Sequence, residues 1–489
     1  MAPSLRLLAL PLALLAGSCG RGNEGAVEIA FVGASDDPFE GGVRLSAAGQ
    51  HVHAATLEGL VGLDAQGQVT PALADRWIIT DDGQSYIFRL RDGKWRDGSD
   101  LTGESARDAL RRVIRQLAGT SLGLDLGQIE DVRAMAGRVV EIRLKGPMPD
   151  FLQLLAQPEL GLTRKGMGTG PMRLRRVGET AVLSMIAPED RGLPRIEGWK
   201  DQVRELRARA LPAPQAIRLF DEGEVDLVLN GQIQALPLVD TGPLSRGTVR
   251  LDPAIGLFGL QVRQAQGVLA KASDREAIAM AIDREGLIEP FNVGGWNATT
   301  RLVGPGLDGD PGTIGERWQG MSLAQRRATA AARIVAWRSA NAGRQAALSI
   351  ELPGGPGSEI LFDHLSQDLK AIGVSLRHPR KGERADLVMV DRVARFAGAR
   401  WFLDQFNCGL HLGLCSSESD KLVAQAVGTE DPAKSAELLS EAEKQLTETN
   451  AYIPFGPPVR FSLVRAGVDG FSANPWAFHP LPEMAVIPR

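Results

Sequence analysis

Several features are scarce in this chain, and each scarcity narrows what the protein can be. Only two tyrosines occur among 489 residues, which is few for a protein that would stack many ligand rings. Acidic and basic residues nearly balance, with a formal net charge of -4 at pH 7. Such a balance gives no reason to expect nucleic acid or an anionic membrane surface as a partner. Beyond the N-terminus, no segment has the roughly 20 apolar residues that a membrane span requires.

Catalytic and metal-binding motifs are also missing. The chain contains no G-x-S-x-G, no H-E-x-x-H and no phosphate loop ending in G-K-[ST]. Its six histidines are scattered, and only His51 and His53 lie close together. In a helix these two side chains would point to different faces and could not share a metal, whereas in a strand they could. We therefore predict no enzyme activity, no cofactor and no metal site.

The length of the chain exceeds what one ordinary core accommodates, so two or three domains are expected. Glycine and proline are plentiful, but the chain shows neither an internal repeat nor a low-complexity run. Beyond residue 260 the predicted helices and strands alternate, which is typical of open α/β sheets. Two patterns in this region, Ser273-x-x-Glu276 and Ser322-x-x-Gln325, predict capping boxes at the starts of helices.

The N-terminal stretch Met1–Cys19 is typical of an export signal. Arg6 precedes an apolar run that is too short to span a bilayer. The sequence A-G-S-C at 16–19 resembles a lipoprotein signal, in which the cysteine carries lipid and becomes the new N-terminus. The alternative is an ordinary cleavable signal with an incidental cysteine. We favour a periplasmic or otherwise extracytoplasmic protein that is attached to a membrane only through lipid on Cys19.

The other two cysteines, Cys408 and Cys415, flank the sequence G-L-H-L-G-L. In an oxidising compartment two cysteines this close, with glycines to ease the turn, favour a small disulfide loop. The competing interpretation is a metal site made from both thiols and His411. That site lacks a fourth ligand nearby, and zinc usually has four, so we favour the disulfide.

The region from 57 to 113 carries the most information about the fold. Its first part predicts a helix end over 57–61 and a helical segment that begins at Pro71 and carries Trp77. Three large apolar residues then alternate with their neighbours in the sequence 85–91, as in a half-buried strand. Thr102 is predicted to cap the helix that follows.

The order of these motifs resembles the start of the solute-binding proteins of peptide and nickel ABC importers, known as family 5. The shared motifs are E-G-L at 58–60, P-A-L-A-D-R-W at 71–77, D-D-G at 81–83 and Y-I-F-R-L-R-D-G-K-W at 86–95. The chain departs from that pattern in being one residue short between Gly93 and Lys94. It also has Ser105 where the family has an aspartate.

Further motifs of the same family follow in the expected order. They are G-T-G-P at 168–171, E-G-E-V-D at 222–226, R-x-A-I-x-x-A-I-D-R-E at 275–285 and L-x-x-I-G-V at 369–374. The resemblance therefore covers nearly the whole chain after the leader.

The resemblance implies an α/β fold of the type II periplasmic-binding-protein kind, with two lobes around a cleft and an extra small domain. Lobe one would comprise three separate stretches, 26–50, 166–259 and 458–489. The extra domain would comprise 51–165, and lobe two would comprise 260–457. Because the chain passes between the lobes, closure around a ligand by hinge motion is expected.

The segment 391–404, D-R-V-A-R-F-A-G-A-R-W-F-L-D, is the candidate ligand site. In peptide-binding members of the family, an aspartate here pairs with the α-ammonium group of the ligand. In this chain Arg395 stands where the family has that aspartate and Arg392 where it has a tryptophan, and an arginine suits a carboxylate or phosphate instead. In the alternative alignment the loop has shifted, and Asp391 or Asp404 binds the ammonium group. The candidate ligand-binding residues are Asp391, Arg392, Arg395, Phe396, Trp401 and Asp404.

The function implied by the resemblance is the capture of a peptide or peptide-like solute and its delivery to an ABC importer. The expected partners are two permease subunits in the membrane and an ATPase. A receptor or scaffold that kept the fold but lost transport is the main alternative, suggested by the altered ammonium site. An exported enzyme is a weaker alternative, because the sequence shows no nucleophile with a neighbouring base.

Overall fold

The structure is a computed structural model that describes residues 25–240 and 247–487. The predicted signal and Cys19 lie outside the described residues. Within the described ranges the strands form sheets of seven, five and four strands and one two-stranded hairpin.

The strands are numbered in chain order. They are β1 Val27–Val32, β2 Val61–Leu63, β3 Val69–Pro71, β4 Ala74–Ile79, β5 Ser85–Leu90, β6 Ile129–Ala134, β7 Val139–Leu144, β8 Met172–Val177, β9 Thr180–Met185, β10 Leu206–Leu211, β11 Leu227–Gln232, β12 Val249–Asp252, β13 Gly256–Val262, β14 Ala346–Glu351, β15 Val374–Arg377, β16 Leu387–Val393, β17 Tyr452–Gly456 and β18 Arg460–Val464.

The α-helices are numbered in the same way. They are α1 Ala47–Thr56, α2 Gly103–Gln116, α3 Ser121–Asp125, α4 Phe151–Leu155, α5 Ala213–Asp221, α6 Ala272–Ala281, α7 Arg284–Ile288, α8 Leu323–Ala340, α9 Pro356–Ala371, α10 Ala399–Asp404, α11 Ser417–Val427, α12 Pro432–Thr449 and α13 Leu481–Met484.

The seven-stranded sheet draws its strands from three separate parts of the chain, in the order β12-β18-β11-β1-β10-β9-β8. The central strand β1 pairs in parallel with both β10 and β11. Its side chains are buried on both faces of the sheet. Phe31 lies in the same core cluster as Val52 of α1, and Ala30 lies in the cluster of Phe220 of α5. The three stretches predicted for lobe one thus contribute strands to one sheet.

The five-stranded sheet has the order β15-β14-β16-β13-β17. β13 begins at Gly256 and pairs with β16 from that residue to Val262. The predicted boundary at 260 therefore falls inside β13, because pairing with β16 takes 256–259 into this sheet. The chain passes between the two large sheets at 253–255 and again at 457–459.

The region 51–165 carries the hairpin β2-β3 and the four-stranded sheet β4-β5-β7-β6. The predicted strand around residue 88 is confirmed as β5, and its alternate residues Tyr86, Phe88 and Leu90 are buried. The predicted cap of α2 is also confirmed, since the hydroxyl of Thr102 accepts a hydrogen bond from the backbone N–H of Ser105. The Ser105 hydroxyl accepts one from the N–H of Thr102 in return, so this departure from the family pattern completes a capping box.

The helix predicted to end over 57–61 ends at Thr56, and Val61 already belongs to β2. Two further predictions of local structure in the extra domain and lobe two are wrong. The segment that begins at Pro71 is not helical, because residues 74–79 form β4 and Trp77 pairs with Phe88 in an antiparallel ladder. The spacing of the apolar residues fitted a helix, but pairing with β5 satisfies the backbone groups of this segment instead.

The second error concerns the start of α6. Ser273 does not cap it, since the helix begins one residue earlier and has Lys271 at its N-cap without a side-chain hydrogen bond. The carboxylate of Glu276 forms ion pairs with Arg317 and Arg333 instead of a capping hydrogen bond. The capping box of Ser322 and Gln325 at the start of α8 is confirmed.

Candidate functional site

A cavity of about 630 Å³ lies where the two large sheets and the region 51–165 meet. The seven-stranded sheet and its flanking segments contribute 230–232, 460–462 and 476–479. The region 51–165 contributes 119–122 and 157–159, and the end of β16 with the two residues after it contributes 391–395. A solute held here would therefore contact all three parts of the protein, which is the arrangement that hinge closure produces.

Asp391 and Arg460 form an ion pair in the wall of this cavity. Asp391 lies on β16 and Arg460 begins β18, so the pair joins the two large sheets directly after a chain crossing. Arg460 Nη1 lies 2.6 Å from Asp391 Oδ1, and each side chain is 7% exposed. Burial raises the pKa of Asp391, and the guanidinium of Arg460 opposes that shift. The carboxylate of Asp391 is thus already neutralised within the protein.

Arg392, the next residue on β16, has a different environment. Its guanidinium is half-buried and donates a hydrogen bond of 3.1 Å to the amide oxygen of Gln405. Among the residues that the structure describes, no carboxylate forms an ion pair with Arg392. Burial and the nearby charge of Arg395 lower the pKa of Arg392. The cavity wall therefore contains a cation that lacks a compensating charge.

Arg395 faces the region 51–165. Its Nη1 atom donates to the hydroxyl of Ser121 at 3.1 Å and lies 3.5 Å from Asp125 Oδ2. Asp125 is fully buried, and burial raises its pKa to about 8 although Arg395 opposes the shift. This carboxyl group therefore carries little negative charge near neutral pH, and it neutralises Arg395 only in part.

The other predicted ligand residues divide between the cavity and the core. Trp401 lines the cavity, and its buried indole N–H has no hydrogen-bond partner among the described residues. Phe396 is not in the cavity wall: its ring is buried in the hydrophobic core beneath the guanidinium of Arg400. Asp404 is also absent from the wall, because it is buried one helical turn after Arg400, with 3.9 Å between the charged groups. The predicted roles of Phe396 and Asp404 in ligand contact are therefore not supported by their positions.

Several lining residues were not anticipated from the sequence. His51 of α1 packs between Phe31 and Phe478, and it accepts a hydrogen bond from the backbone N–H of His479. Burial lowers the pKa of His51 to about 3, so the ring is neutral. His53 instead contacts the carbonyl oxygen of Pro158. The helix confirms that the two histidines do not face the same site. No local pattern indicated the contact of His51 with His479, because the two residues lie 428 positions apart along the chain.

The loop between Cys408 and Cys415 also reaches the cavity. The structure joins these cysteines in a disulfide with 5.3 Å between their Cα atoms. Leu410 and Leu412, inside the loop, contribute apolar surface to the cavity wall. The backbone N–H of Cys408 donates to Asp420, which anchors the loop to α11.

Residues 25–240 and 247–487 contain no cluster of three or more histidine, cysteine or acidic side chains arranged to hold a metal ion. In the same ranges, none of the helices combines the length and apolar character needed to cross a bilayer.

Several known proteins are similar to this chain in sequence. A family model described as bacterial extracellular solute-binding proteins, family 5 Middle, matches residues 68–378. The probable deoxycholate-binding periplasmic protein YgiS of Escherichia coli (strain K12) is 36% identical over 121 residues, covering 21% of this chain and 23% of that protein. The dipeptide-binding protein DppE of Bacillus subtilis (strain 168) is 21% identical over 449 residues, covering 81% of this chain and 80% of that protein.

A solved structure supports the fold. OppA of Burkholderia pseudomallei superposes with a TM-score of 0.78 at 18% identity, covering 95% of this chain and all of that chain. At this identity the likeness concerns the fold alone, and it confirms the predicted α/β fold class.

Proposed function

The chain belongs to the bacterial extracellular solute-binding proteins of family 5, and we propose that it captures a solute outside the cytoplasm for delivery to an ABC importer. The observation that carries this proposal is the cavity shared by the two large sheets and the region 51–165. The chain crosses between the large sheets at only two short segments, 253–255 and 457–459, in the described residues. Rotation about these segments would open the cavity and admit a solute.

Capture of this kind requires no bond chemistry. A solute that contacts all three parts favours the closed arrangement over the open one, and the equilibrium shifts by the difference in its affinity for the two. The permease subunits would then recognise the closed form, and an ATPase would drive release and transport.

The proposed solute is a peptide or a peptide-like molecule. DppE, which matches most of the chain, is named for binding a dipeptide, whereas YgiS is named for deoxycholate and matches a shorter stretch. One feature of the wall suits an extended ligand. The pairing of β11 with β18 shifts between Val228 and Gly231, where β11 reaches the cavity. Backbone groups outside a regular ladder are available to a bound chain.

Three predicted residues are proposed to contact the solute: Arg392, Arg395 and Trp401. All three line the cavity. Arg392 and Arg395 supply charge, while Trp401 supplies an apolar surface with one unpartnered N–H group. Asp391 lines the same wall, but its carboxylate already forms an ion pair with Arg460.

The proposed location is the periplasm or another extracytoplasmic compartment, and the proposed anchor is lipid on Cys19. The relative YgiS is named as a periplasmic protein, which supports export. Lipid attachment rests on the sequence A-G-S-C alone.

Native mass spectrometry of freshly purified protein tests the capture function. The expected result is a mass above that of the polypeptide which disappears on denaturation, accompanied by a released small molecule. Adding that molecule back should raise the thermal unfolding midpoint, because a ligand that binds only the folded state stabilises it. A protein that neither carries nor binds any solute would instead fit the receptor or scaffold alternative.

A further inference from the structure

The charged side chains around the cavity are unequally paired. Four arginines and three carboxylates contribute to its wall. Glu159, Asp252 and Asp391, the three carboxylates, each accept a hydrogen bond of 3.0 Å or less from a donor within the protein. Each of these carboxylates thus has at least one donor, which for Glu159 is the neutral amide of Gln50, while Glu159 Oε2 and Asp391 Oδ2 have no partner among the described residues.

The arginines are not all satisfied in the same way. Arg460 forms an ion pair of 2.6 Å with Asp391. Arg392 instead donates a hydrogen bond to the neutral amide oxygen of Gln405. A half-buried positive charge without a counter-ion is unfavourable. Arg392 does not become neutral by losing its proton, because arginine stays protonated in proteins. An anionic group from outside the protein would supply the missing partner, and a guanidinium can bind a carboxylate or phosphate through two parallel hydrogen bonds.

We propose that Arg460 determines the charge of the solute: it neutralises Asp391, which leaves Arg392 to bind a carboxylate or another anionic group of the solute. The inference rests on the proposed capture function and names the chemical class of the captured molecule. If Arg460 were neutral, the buried carboxylate of Asp391 would need another cation. An ammonium group of a ligand would then be accepted in the same wall.

Four forms of trialanine separate these charges, because they share one chain and differ only at its ends. They are free trialanine, N-acetyl-trialanine, trialaninamide and N-acetyl-trialaninamide. Binding is measured by calorimetry on the full exported protein after any copurified solute has been removed by unfolding and refolding. The solutes released from fresh protein are identified in parallel by mass spectrometry.

In the wild-type protein we expect N-acetyl-trialanine to bind and trialaninamide not to bind. Arg392→Met should weaken the binding of N-acetyl-trialanine at least about tenfold, because the interaction of a close charge pair is lost. Arg460→Met should strengthen the binding of trialaninamide by about tenfold or more, because Asp391 is then free to bind an ammonium group. The released solute should contain an acidic group.

Two controls separate charge from loss of fold. The double variant Asp391→Asn with Arg460→Met has a neutral pair in the same place, and it should lose the gained binding of trialaninamide. Arg76→Met removes an arginine whose side chain is 68% exposed, outside the cavity, and it should bind like the wild type. Thermal unfolding of each variant establishes that it is folded.

Three results would count against the inference. An acid-free released solute would overturn it, and so would a wild-type protein that prefers trialaninamide. Equal binding of trialaninamide by the wild type and Arg460→Met would show that Arg460 does not set the charge. If no probe binds and no solute is released, the capture function itself is contradicted, and the inference fails with it.

Discussion

Glu58 and Arg91 form a buried ion pair in the region 51–165, with 2.6 Å between Oε2 and Nη2 and 7% exposure of each side chain. The other carboxylate oxygen of Glu58 contacts Arg191. Glu58 belongs to the motif E-G-L and Arg91 to the motif Y-I-F-R-L-R, which lie about 30 residues apart in the sequence. One carboxylate thus connects two of the family motifs to each other and to the segment that follows β9.

Glu58→Ala is expected to destabilise the protein by about 3–5 kcal/mol, because it leaves two arginines without their counter-ion in a buried place. Chemical denaturation followed by circular dichroism measures the change. The matched control is Glu437→Ala, which removes one partner of an exposed ion pair with Lys434 on α12. Exposed pairs of this kind contribute little, so this control should differ only slightly from the wild type. Equal effects of the two substitutions would contradict the role assigned to Glu58.

Asp125 is expected to make the stability fall as the pH rises. Burial raises the pKa of Asp125 to about 8, whereas an aspartate in an unfolded chain titrates near about 3.9. Between these values the folded protein holds a proton that the unfolded chain has released. Stability from this group is therefore largest near pH 4 and is lost progressively as the pH approaches 8.

Asp125→Asn tests this dependence, because an amide resembles the protonated carboxyl group but does not titrate. The unfolding midpoint of the variant, relative to the wild type, should rise between pH 5 and pH 8. Asp363→Asn, at an exposed position of α9, should follow the wild type at every pH. A difference between Asp125→Asn and the wild type that is constant with pH would show that Asp125 is ionised throughout.

Cys408 and Cys415 are expected to be bridged in the exported protein. Intact mass under non-reducing conditions should show no free thiol at either position, while reduction should expose both. Replacing both by serine should cost about 2 kcal/mol in the chain-entropy description of a short loop. It should also weaken solute binding, because Leu410 and Leu412 of the loop line the cavity. Free thiols in the purified protein would leave the metal-site alternative with His411 open to a direct zinc assay.

Cys19 is expected to carry lipid in the mature protein. Cys19→Ser should release the protein from the membrane fraction into the soluble fraction, because a lipid chain would be its only anchor. Mass spectrometry of the wild-type N-terminal peptide should show an acylated Cys19. A mature N-terminus beyond residue 19, or a serine variant that stays in the membrane fraction, would favour the ordinary signal.

Local interactions explain which parts of the fold were predictable. β5 was recognisable because its alternate residues Tyr86, Phe88 and Leu90 face one core. α2 was recognisable because its N-cap residue, Thr102, lies directly before the helix. β4 was misread, since the spacing around Trp77 fits a helix, and only pairing with β5 makes it a strand. The capping box predicted at Ser273 does not form for a similar reason. Arg317 and Arg333, which are distant in the sequence, form ion pairs with Glu276.

The candidate site was predictable only in part. The segment 391–404 was identified by its resemblance to the family, and four of its six candidate residues line the cavity. The burial of Phe396 and the pairing of Asp404 with Arg400 depend on how α10 packs against the core. His51 and His479 were missed because the contact between them is made by chain segments from opposite ends of the sequence.

The sequence by itself determined the family, the fold class and the short-range elements, because motifs, caps and alternating strands depend on neighbouring residues. Only the tertiary structure decided which charges remain available in the cavity. Arg460 lies 69 residues from Asp391 in the chain, and no local sequence pattern around either residue predicts their contact. β16 belongs to the five-stranded sheet and β18 to the seven-stranded sheet. The two residues meet where the chain passes between these sheets, at 457–459. Ion pairing acts through space, so the free charge of Arg392 follows from that meeting and not from the order of the residues.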